Sequence, residues 1–245
     1  MGRDGIRSNA MLRLSGLVLL LGVAAAAQTP DLSGVWSPSR ATGPGAPAPP
    51  TPLVLKSPYK EKYEARRAQE REATARGEQL VDKGLCEPYG MPTMMAVAVY
   101  PMEVIQTPKQ VTIVGEAFSE VRRVYMGKPQ LALDDVDPGY YGRSVGKWDG
   151  DALVIDTIGI KENVRGYQGL PHSAQMHITE RIRRNAPDQL RDQITIEDPV
   201  VLEKPVTYTL VYKLVPNYEM VEFVCENNRE YVDEKGVVRL KLHDK

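Results

Sequence analysis

The chain has 245 residues, of which 42% are hydrophobic and 26% are charged, and its formal net charge is −1 at pH 7. This composition is ordinary for a globular protein and argues against wholesale disorder. The length suits one good-sized domain, and the near-neutral charge does not indicate a nucleic-acid partner.

The N-terminus has the order of features found in a secretory signal. Arg13 precedes the apolar run 17–24, and three alanines follow it. We therefore predict a signal peptide over residues 1–27, with Met11 as an alternative start, and a periplasmic or extracellular mature chain. The apolar run is too short to span a bilayer comfortably, so no stable membrane insertion is expected after cleavage. Cleavage would leave 28 basic and 31 acidic groups.

Export bears on the only two cysteines, Cys86 and Cys225. An oxidising compartment favours a disulfide between them. In the chain-entropy model, closing so long a loop stabilises the fold by roughly 4–5 kcal/mol, less any strain. The alternative is a pair of buried free thiols.

The mature chain is predicted to begin with a strand, a connector and a helix. Residues 31–36 have a strand pattern, and the Pro- and Gly-rich residues 43–52 can sustain neither a helix nor a ladder. Ser57 and Pro58 provide a helix start, and the helix is predicted to run to about Arg76. Because most of its side chains are charged, we expect it to lie on the outside of the domain.

Two predicted hairpins carry the strongest strand signals. The first joins residues 143–148 to 151–157 through Asp149-Gly150, a pair suited to the positive φ angles of a type I′ turn. The second joins residues 176–183 to 190–196. Both hairpins alternate between apolar and polar residues, so their two faces can be assigned.

The alternation places two carboxylates on the apolar face of the second hairpin. Glu180 shares that face with Ile178, and Asp192 shares it with Ile194, whereas His177 falls on the opposite face. Burial would raise the pKa of Glu180, and a nearby arginine such as Arg123 would instead hold it ionised. Both outcomes are open at this point.

The remaining strand signals complete a mostly-β pattern of about nine strands. Closing such a set of strands removes exposed edges, so we predict an antiparallel up-and-down β barrel with one peripheral helix; an open sandwich is the alternative. The further predicted strands are residues 102–107, 110–114, 121–125, 206–214, 220–225 and a short one near 237–240, with 206–214 and 220–225 forming the last long hairpin.

The domain division follows from these elements. Residues 1–27 are the signal peptide, and residues 28–56 hold the first strand and the connector. Residues 57–245 form the rest of a single barrel domain, which includes that first strand.

The triplet Gly34-Val35-Trp36 resembles the first-strand signature of lipocalins and related calycin barrels. That resemblance implies a tryptophan packed across the closed end of the barrel beneath a late arginine, for which Arg229 and Arg239 are the candidates. A core tryptophan beside a turn glycine is the simpler interpretation.

Two stretches resemble a family of exported bacterial proteins of undefined function. One is the run S-V-G-K-W-D-G-D-A-L-V-I-D-T over residues 144–157, and the other holds P-H-S and T-E-R elements within residues 171–181. Asp149 stands where that family's pattern implies Glu, and Ala152 where it implies Thr. The resemblance covers most of the mature chain and implies export and the placement of both cysteines, without a mechanism.

Two sets of candidate site residues follow from the predicted inner face and loops. The candidate catalytic residues are Glu180 as acid or base, His172 assisting it, and Arg123 stabilising negative charge. The candidate ligand-binding residues are Tyr125, Tyr141, Trp148, Asp192, Tyr208 and Tyr212.

Three functions are compatible with these residues. The first is a periplasmic or secreted barrel that encloses a small, largely apolar molecule in a cavity of at least roughly 300 Å³. The second is an enzyme, namely an isomerase, lyase or hydrolase, that uses Glu180 in the same cavity. The third is a structural or envelope-interaction module with an exposed apolar patch. The three histidines are not spaced from one another or from a cysteine as zinc ligands are, so we expect no metal and no cofactor.

Overall fold

Nine strands in the described part of the chain close into a β barrel. Apart from Met1, the predicted signal peptide lies outside the described residues, as do Arg229 and His243. The computed structural model describes residues 1, 29–40, 46–78, 80, 86–97, 99–162, 164, 166–225, 230–235 and 237–240. The barrel strands are β1 (Gly34–Ser39), β2 (Met102–Gln106), β3 (Gln110–Gly115), β4 (Glu120–Met126), β5 (Arg143–Asp149), β6 (Ala152–Ile158), β7 (His177–Ala186), β8 (Gln189–Glu197) and β9 (Val206–Leu214).

The strands neighbour one another in chain order, and β9 pairs with β1 to close the barrel. The predicted barrel is confirmed. One pairing departs from a strictly up-and-down order, because β4 and β5 are parallel. Parallel neighbours need a crossover connection, and residues 127–142 are long enough to carry the chain back to the end of the barrel where β4 began.

The predicted hairpin between residues 206–214 and 220–225 is wrong in its second arm. Residues 206–214 form β9, but residues 220–225 are not in a strand. The two edges of β9 are already taken by β1 and β8, so no edge is left to pair with the later segment. A separate short hairpin follows, formed by β10 (Glu230–Val232) and β11 (Val238–Leu240).

The helix α1 (Tyr59–Ala75) lies outside the barrel, as its composition predicts. Ala73 is its one buried residue, while Tyr59 and Tyr63 pack partly against the core. The helix therefore contributes little to the barrel interior.

Trp36 is fully buried near the end of the barrel that carries the β7–β8 turn. Its indole N–H donates to the Leu32 carbonyl at 2.9 Å, and the Arg184 guanidinium lies 5.4 Å from the ring centroid. The described arginine over this tryptophan thus comes from β7. The side chain of Arg239, one of the two predicted partners, is outside the described part of the structure.

The opposite end of the barrel, called here the mouth, is where β1 ends and β2 and β4 begin. The β3–β4 turn and the connections 159–176 and 198–205 lie at this end. Residues 86–97, called here the capping segment, cover it and bury Met91 and Met95. The mouth is therefore closed by the chain itself.

Candidate functional site

Five polar side chains from five successive strands meet inside the barrel. This interior cluster comprises Arg122 of β4, Ser144 of β5, Thr157 of β6, Glu180 of β7 and Asp192 of β8, each at most 1% exposed. Alternation in each strand points these side chains inward. Polar groups buried this deeply are costly unless they are paired, so their partners decide what the cluster can do.

Arg122 and Glu180 form a bidentate ion pair. Arg122 Nη1 donates to Glu180 Oε1 at 2.9 Å, and Nη2 donates to Oε2. The same guanidinium donates to Thr157 Oγ1 at 2.9 Å and to Ser144 Oγ at 3.2 Å. Both carboxylate oxygens of Glu180 are therefore occupied by Arg122, so neither is free to exchange a proton with a substrate.

Asp192 is the member of the cluster without such partners. It lies diagonal to Glu180 across the β7–β8 pair, with Ile182 and Leu210 as its direct cross-strand neighbours. Neither of its side-chain oxygens makes a hydrogen bond of ordinary geometry to the described residues. Burial, the charge of Glu180 and a side-chain interaction with Glu180 outside ordinary hydrogen-bond geometry raise the pKa of Asp192 well above its usual range, against the opposing effect of Arg122. Asp192 therefore keeps its proton to a higher pH than an exposed aspartate does.

Two tyrosines of β9 flank Asp192 on its other side. Tyr208 and Tyr212 are its diagonal neighbours across the β8–β9 pair, and both are buried. The Tyr212 hydroxyl donates to the Met95 carbonyl of the capping segment at 2.7 Å. Burial raises the pKa of Tyr212, so it remains a neutral donor. Tyr212 therefore links the interior cluster to the cover of the barrel.

The capping segment is fastened at two points. A disulfide joins Cys86 to Cys225 with an S–S distance of 2.09 Å, which confirms the predicted pairing. Gly90 N–H donates to Glu120 Oε1 at 2.7 Å. Burial raises the pKa of Glu120 to about 7, although hydrogen bonds from Gly90, Tyr89 and Tyr141 act in the opposite direction. Glu120 is thus a titratable group that binds the capping segment through Gly90.

The space beneath the cover is small. A cavity of about 10 Å³ lies among Met94, Met95, Glu120 and Tyr212. That is room for about one water molecule, against roughly 300 Å³ or more for a ligand pocket. At this place the described side chains fill the interior where a larger cavity was expected from the sequence.

A wider space of about 740 Å³ is an open groove between α1 and residues 166–169. Its helix wall carries charged side chains such as Arg67 and Glu70, which pair at 2.7 Å. Because the groove is charged and open to solvent, it does not suit a largely apolar molecule.

The other predicted catalytic residues lie away from Glu180. Arg123 is exposed on the outer face of β4, and Arg122 takes the inward position expected for it. His172 is buried, but its hydrogen bonds go to the backbone oxygens of Val164, at 2.9 Å, and Ser173, at 3.2 Å. Its ring therefore fixes the 159–176 connection at the mouth.

The predicted ligand-binding residues divide into two groups. Asp192 and the two β9 tyrosines lie together in the interior, as the alternation predicts. Tyr141 is at the mouth, where burial and Glu120 raise its pKa. Tyr125 is 37% exposed beneath Arg143, and Trp148 is half-buried against the core. The last two do not join the interior cluster.

Sequence reasoning did not find the contact between Ser173 and Asp198. The Ser173 N–H and hydroxyl donate to Asp198 at 2.6 and 2.9 Å, and both residues are buried. The Asp-Pro pair at residues 198–199 signals a turn, but a turn signal does not identify a partner 25 residues away. This contact fastens the 159–176 connection to the end of β8.

Comparison with models of protein families finds no match, and a search of curated proteins finds no similar sequence. The resemblances noted in the sequence therefore stay predictions, and the fold defines the class: a closed β barrel with a polar cluster inside. No helix in the described ranges is long and apolar enough to cross a membrane. Within the same ranges, no group of three or more His, Cys, Asp or Glu side chains is arranged to hold a metal.

Proposed function

We propose that the protein is an exported binding barrel that takes a small, largely apolar molecule into its interior and holds it at Asp192. The observation that carries this proposal is the state of Asp192, which is fully buried and has no ordinary hydrogen bond to either oxygen. Export rests on the signal-like order of residues 1–27, which predicts a periplasmic or extracellular location.

A purely structural role would leave Asp192 poorly satisfied. An unsatisfied buried polar group typically costs about 1–3 kcal/mol, and an apolar residue at this place between Ile182 and Leu210 would avoid that cost. Stability is commonly sacrificed in this way at binding sites. A bound molecule that presents a hydrogen-bonding group to Asp192 would satisfy the carboxyl.

The surroundings of Asp192 suit an apolar body with one polar end. Buried aliphatic side chains from β6, β7 and β8 line the interior, and the two β9 tyrosines add hydroxyl groups at one side. Ligand sites typically combine mostly apolar walls with a few polar groups that fix orientation. The aliphatic residues are Leu153, Ile155, Ile178, Ile194 and Ile196.

Binding requires the cover to move, because the cavity beneath it holds about 10 Å³. The side chains that close the mouth are largely methionines, which are unbranched and adapt readily to a new neighbour. In the proposed mechanism the ligand displaces Met94 and Met95, and the disulfide at Cys86 keeps the segment attached.

The enzyme alternative assigned the acid or base role to Glu180. The bidentate pair with Arg122 occupies that carboxylate, and His172 is bonded elsewhere, so this geometry favours binding over catalysis by Glu180. The enzyme stays a prediction from the sequence.

The test is untargeted mass spectrometry of small molecules released from the protein after purification from cells that export it. We expect a species that is present with the wild type, is depleted with Asp192→Asn and is retained with Asp188→Asn. Asp188 is a matched control because it lies at the exposed β7–β8 turn, paired with Lys213. A released species that is equally abundant in all three proteins, or no species at all, would contradict the proposal.

A further inference from the structure

We propose that the molecule bound in this barrel is a small organic cation, an ammonium group on an apolar body, whose charged head pairs with Asp192. This inference rests on the proposed function and adds the chemical class of the ligand.

The first argument is the balance of charge among buried groups. Of the described side chains, five buried carboxyls accompany one buried guanidinium, that of Arg122. The charge of that guanidinium is paired with Glu180, and its remaining hydrogen bonds go to Ser144 and Thr157. The five carboxyls are those of Glu116, Glu120, Glu180, Asp192 and Asp198.

Two of the remaining four carboxyls are satisfied by neutral donors. Glu116 accepts from the Tyr218 hydroxyl at 2.8 Å and from Val221 N–H at 3.2 Å. Asp198 accepts from Ser173 and from the N–H groups of Val200 and Val201. Asp192 and Glu120 are left, and each has at least one side-chain oxygen without an ordinary hydrogen bond.

The second argument is that both carboxyls lie near Tyr212, one on the side of the mouth and the other deeper in the barrel. Glu120 lies at the mouth under the capping segment, where it lines the small cavity together with Tyr212. Tyr212 in turn lies between the Met95 carbonyl and Asp192. An entering cation would therefore meet one acidic group at the mouth and a second at the end of its path.

The same arrangement disfavours the other ligand classes. An anion would meet Glu120, Asp192 and Glu180, while the buried guanidinium of Arg122 is already paired with Glu180. A neutral alcohol can donate one hydrogen bond to Asp192, but it gains no charge–charge attraction in this low-dielectric interior. An ammonium group gains both, and charge-assisted hydrogen bonds are the stronger kind.

Proton balance gives this pairing a distinctive signature. Burial and the charge of Glu180 raise the pKa of Asp192 in the closed barrel, so the carboxyl holds its proton more tightly there than it would beside a cation. When an ammonium head pairs with it, the carboxyl gives that proton to solvent and becomes the counter-ion. Binding of the cation therefore releases a proton, whereas binding of a neutral alcohol releases none.

The experiment compares three probes of equal chain length, octylammonium, 1-octanol and octanoate, by titration calorimetry at pH 7 in two buffers with different ionisation enthalpies. We expect octylammonium to bind the wild type at least tenfold more tightly than either other probe, with net proton release. Asp192→Asn should weaken octylammonium at least tenfold and leave 1-octanol within threefold, and Asp188→Asn should change neither.

Several results would overturn the cation assignment. If 1-octanol or octanoate bound as tightly as octylammonium or more tightly, the cation assignment would be wrong, but the proposed binding function would stand. The cation assignment would also be rejected if octylammonium did not bind the wild type, or if it bound without releasing a proton. Both measurements use the wild type alone, so they do not depend on whether a variant folds. The mass-spectrometric search for retained molecules tests the binding barrel separately.

Discussion

The Arg122 guanidinium donates to both carboxylate oxygens of Glu180, and solvent reaches neither side chain. A pair buried this deeply is weak evidence for net stabilisation, yet removing one partner leaves a buried charge alone. The pair therefore fixes the geometry of the interior cluster. Of the two carboxyls in that cluster, Asp192 is the one that is not paired with a cation.

Replacing one partner of the pair should destabilise the protein strongly. We expect Glu180→Gln or Arg122→Met to lower the free energy of unfolding by about 3–5 kcal/mol, because each leaves an unpaired charge or acceptor inside the barrel. Urea denaturation measures the effect. Arg123→Met is the matched control, because the Arg123 side chain neighbours Arg122 in the sequence but is exposed. Its free energy of unfolding should stay within about 0.5 kcal/mol of the wild-type value. Equal effects at residues 122 and 123 would contradict the buried pair.

Replacing Asp192 should raise the free energy of unfolding, in contrast to replacing Arg122 or Glu180. Asp192→Asn removes an acid whose ionised form is disfavoured in the barrel and not in the unfolded chain, so we expect a gain of about 1 kcal/mol or more at pH 7. Asp188→Asn, in which a surface pair with Lys213 is lost, should cost at most about 1 kcal/mol. Thermal unfolding of the ligand-free proteins distinguishes the two. A clear loss of stability in Asp192→Asn would indicate a structural carboxylate.

Stability should fall as pH rises from about 4.5 to 7 because of Glu120. Its pKa in the folded protein is about 7, against an ordinary value of 4.5, so the folded state keeps a proton that the unfolded state releases. Below pH 4.5 both states are protonated, and above 7 the folded state bears the full cost of burying the charge, up to about 3 kcal/mol.

The raised pKa values of Asp192 and His177 act in the same direction, so the comparison must be between proteins. We expect the unfolding free energy of Glu120→Gln to depend less steeply on pH than that of the wild type between pH 5 and 7. Glu219→Gln, at an exposed position, should keep the wild-type slope. The same slope in all three proteins would refute the assignment to Glu120.

Removing the disulfide should loosen the capping segment and the chain around Cys225 together. Cys86 and Cys225 are 139 residues apart, and loss of a native bridge typically costs about 2–5 kcal/mol. Cys86→Ala/Cys225→Ala should lower the melting temperature to that of the reduced wild type and should not respond to reductant. A reductant effect that persists in the double variant would point to a cause other than this bridge.

The sequence was sufficient for the features that depend on local alternation. Glu180 and Asp192 could be assigned to the interior because each lies in a strand with a clear period of two. Arg122 could not be separated from Arg123 in this way, since valines at residues 121 and 124 lie on opposite faces and leave both arginines with an apolar neighbour on their own side. Only the register of the closed barrel decides between them.

Other features depend on the whole barrel. Residues 220–225 alternate as a strand should, but closure of the barrel leaves β9 no free edge for them. The cover at Met91 and Met95 is likewise a long-range contact, because nothing in the local pattern says that this segment fills the mouth. The filled interior therefore could not be read from the strands alone.

The most direct test of the central claim is a crystal structure of the protein purified, with its retained molecule, from cells that export it. The account predicts density for that molecule within hydrogen-bond distance of the Asp192 carboxyl, with Met94 and Met95 displaced from the mouth. A retained molecule on the outer surface, with the interior side chains packed as they are in the closed barrel, would contradict it.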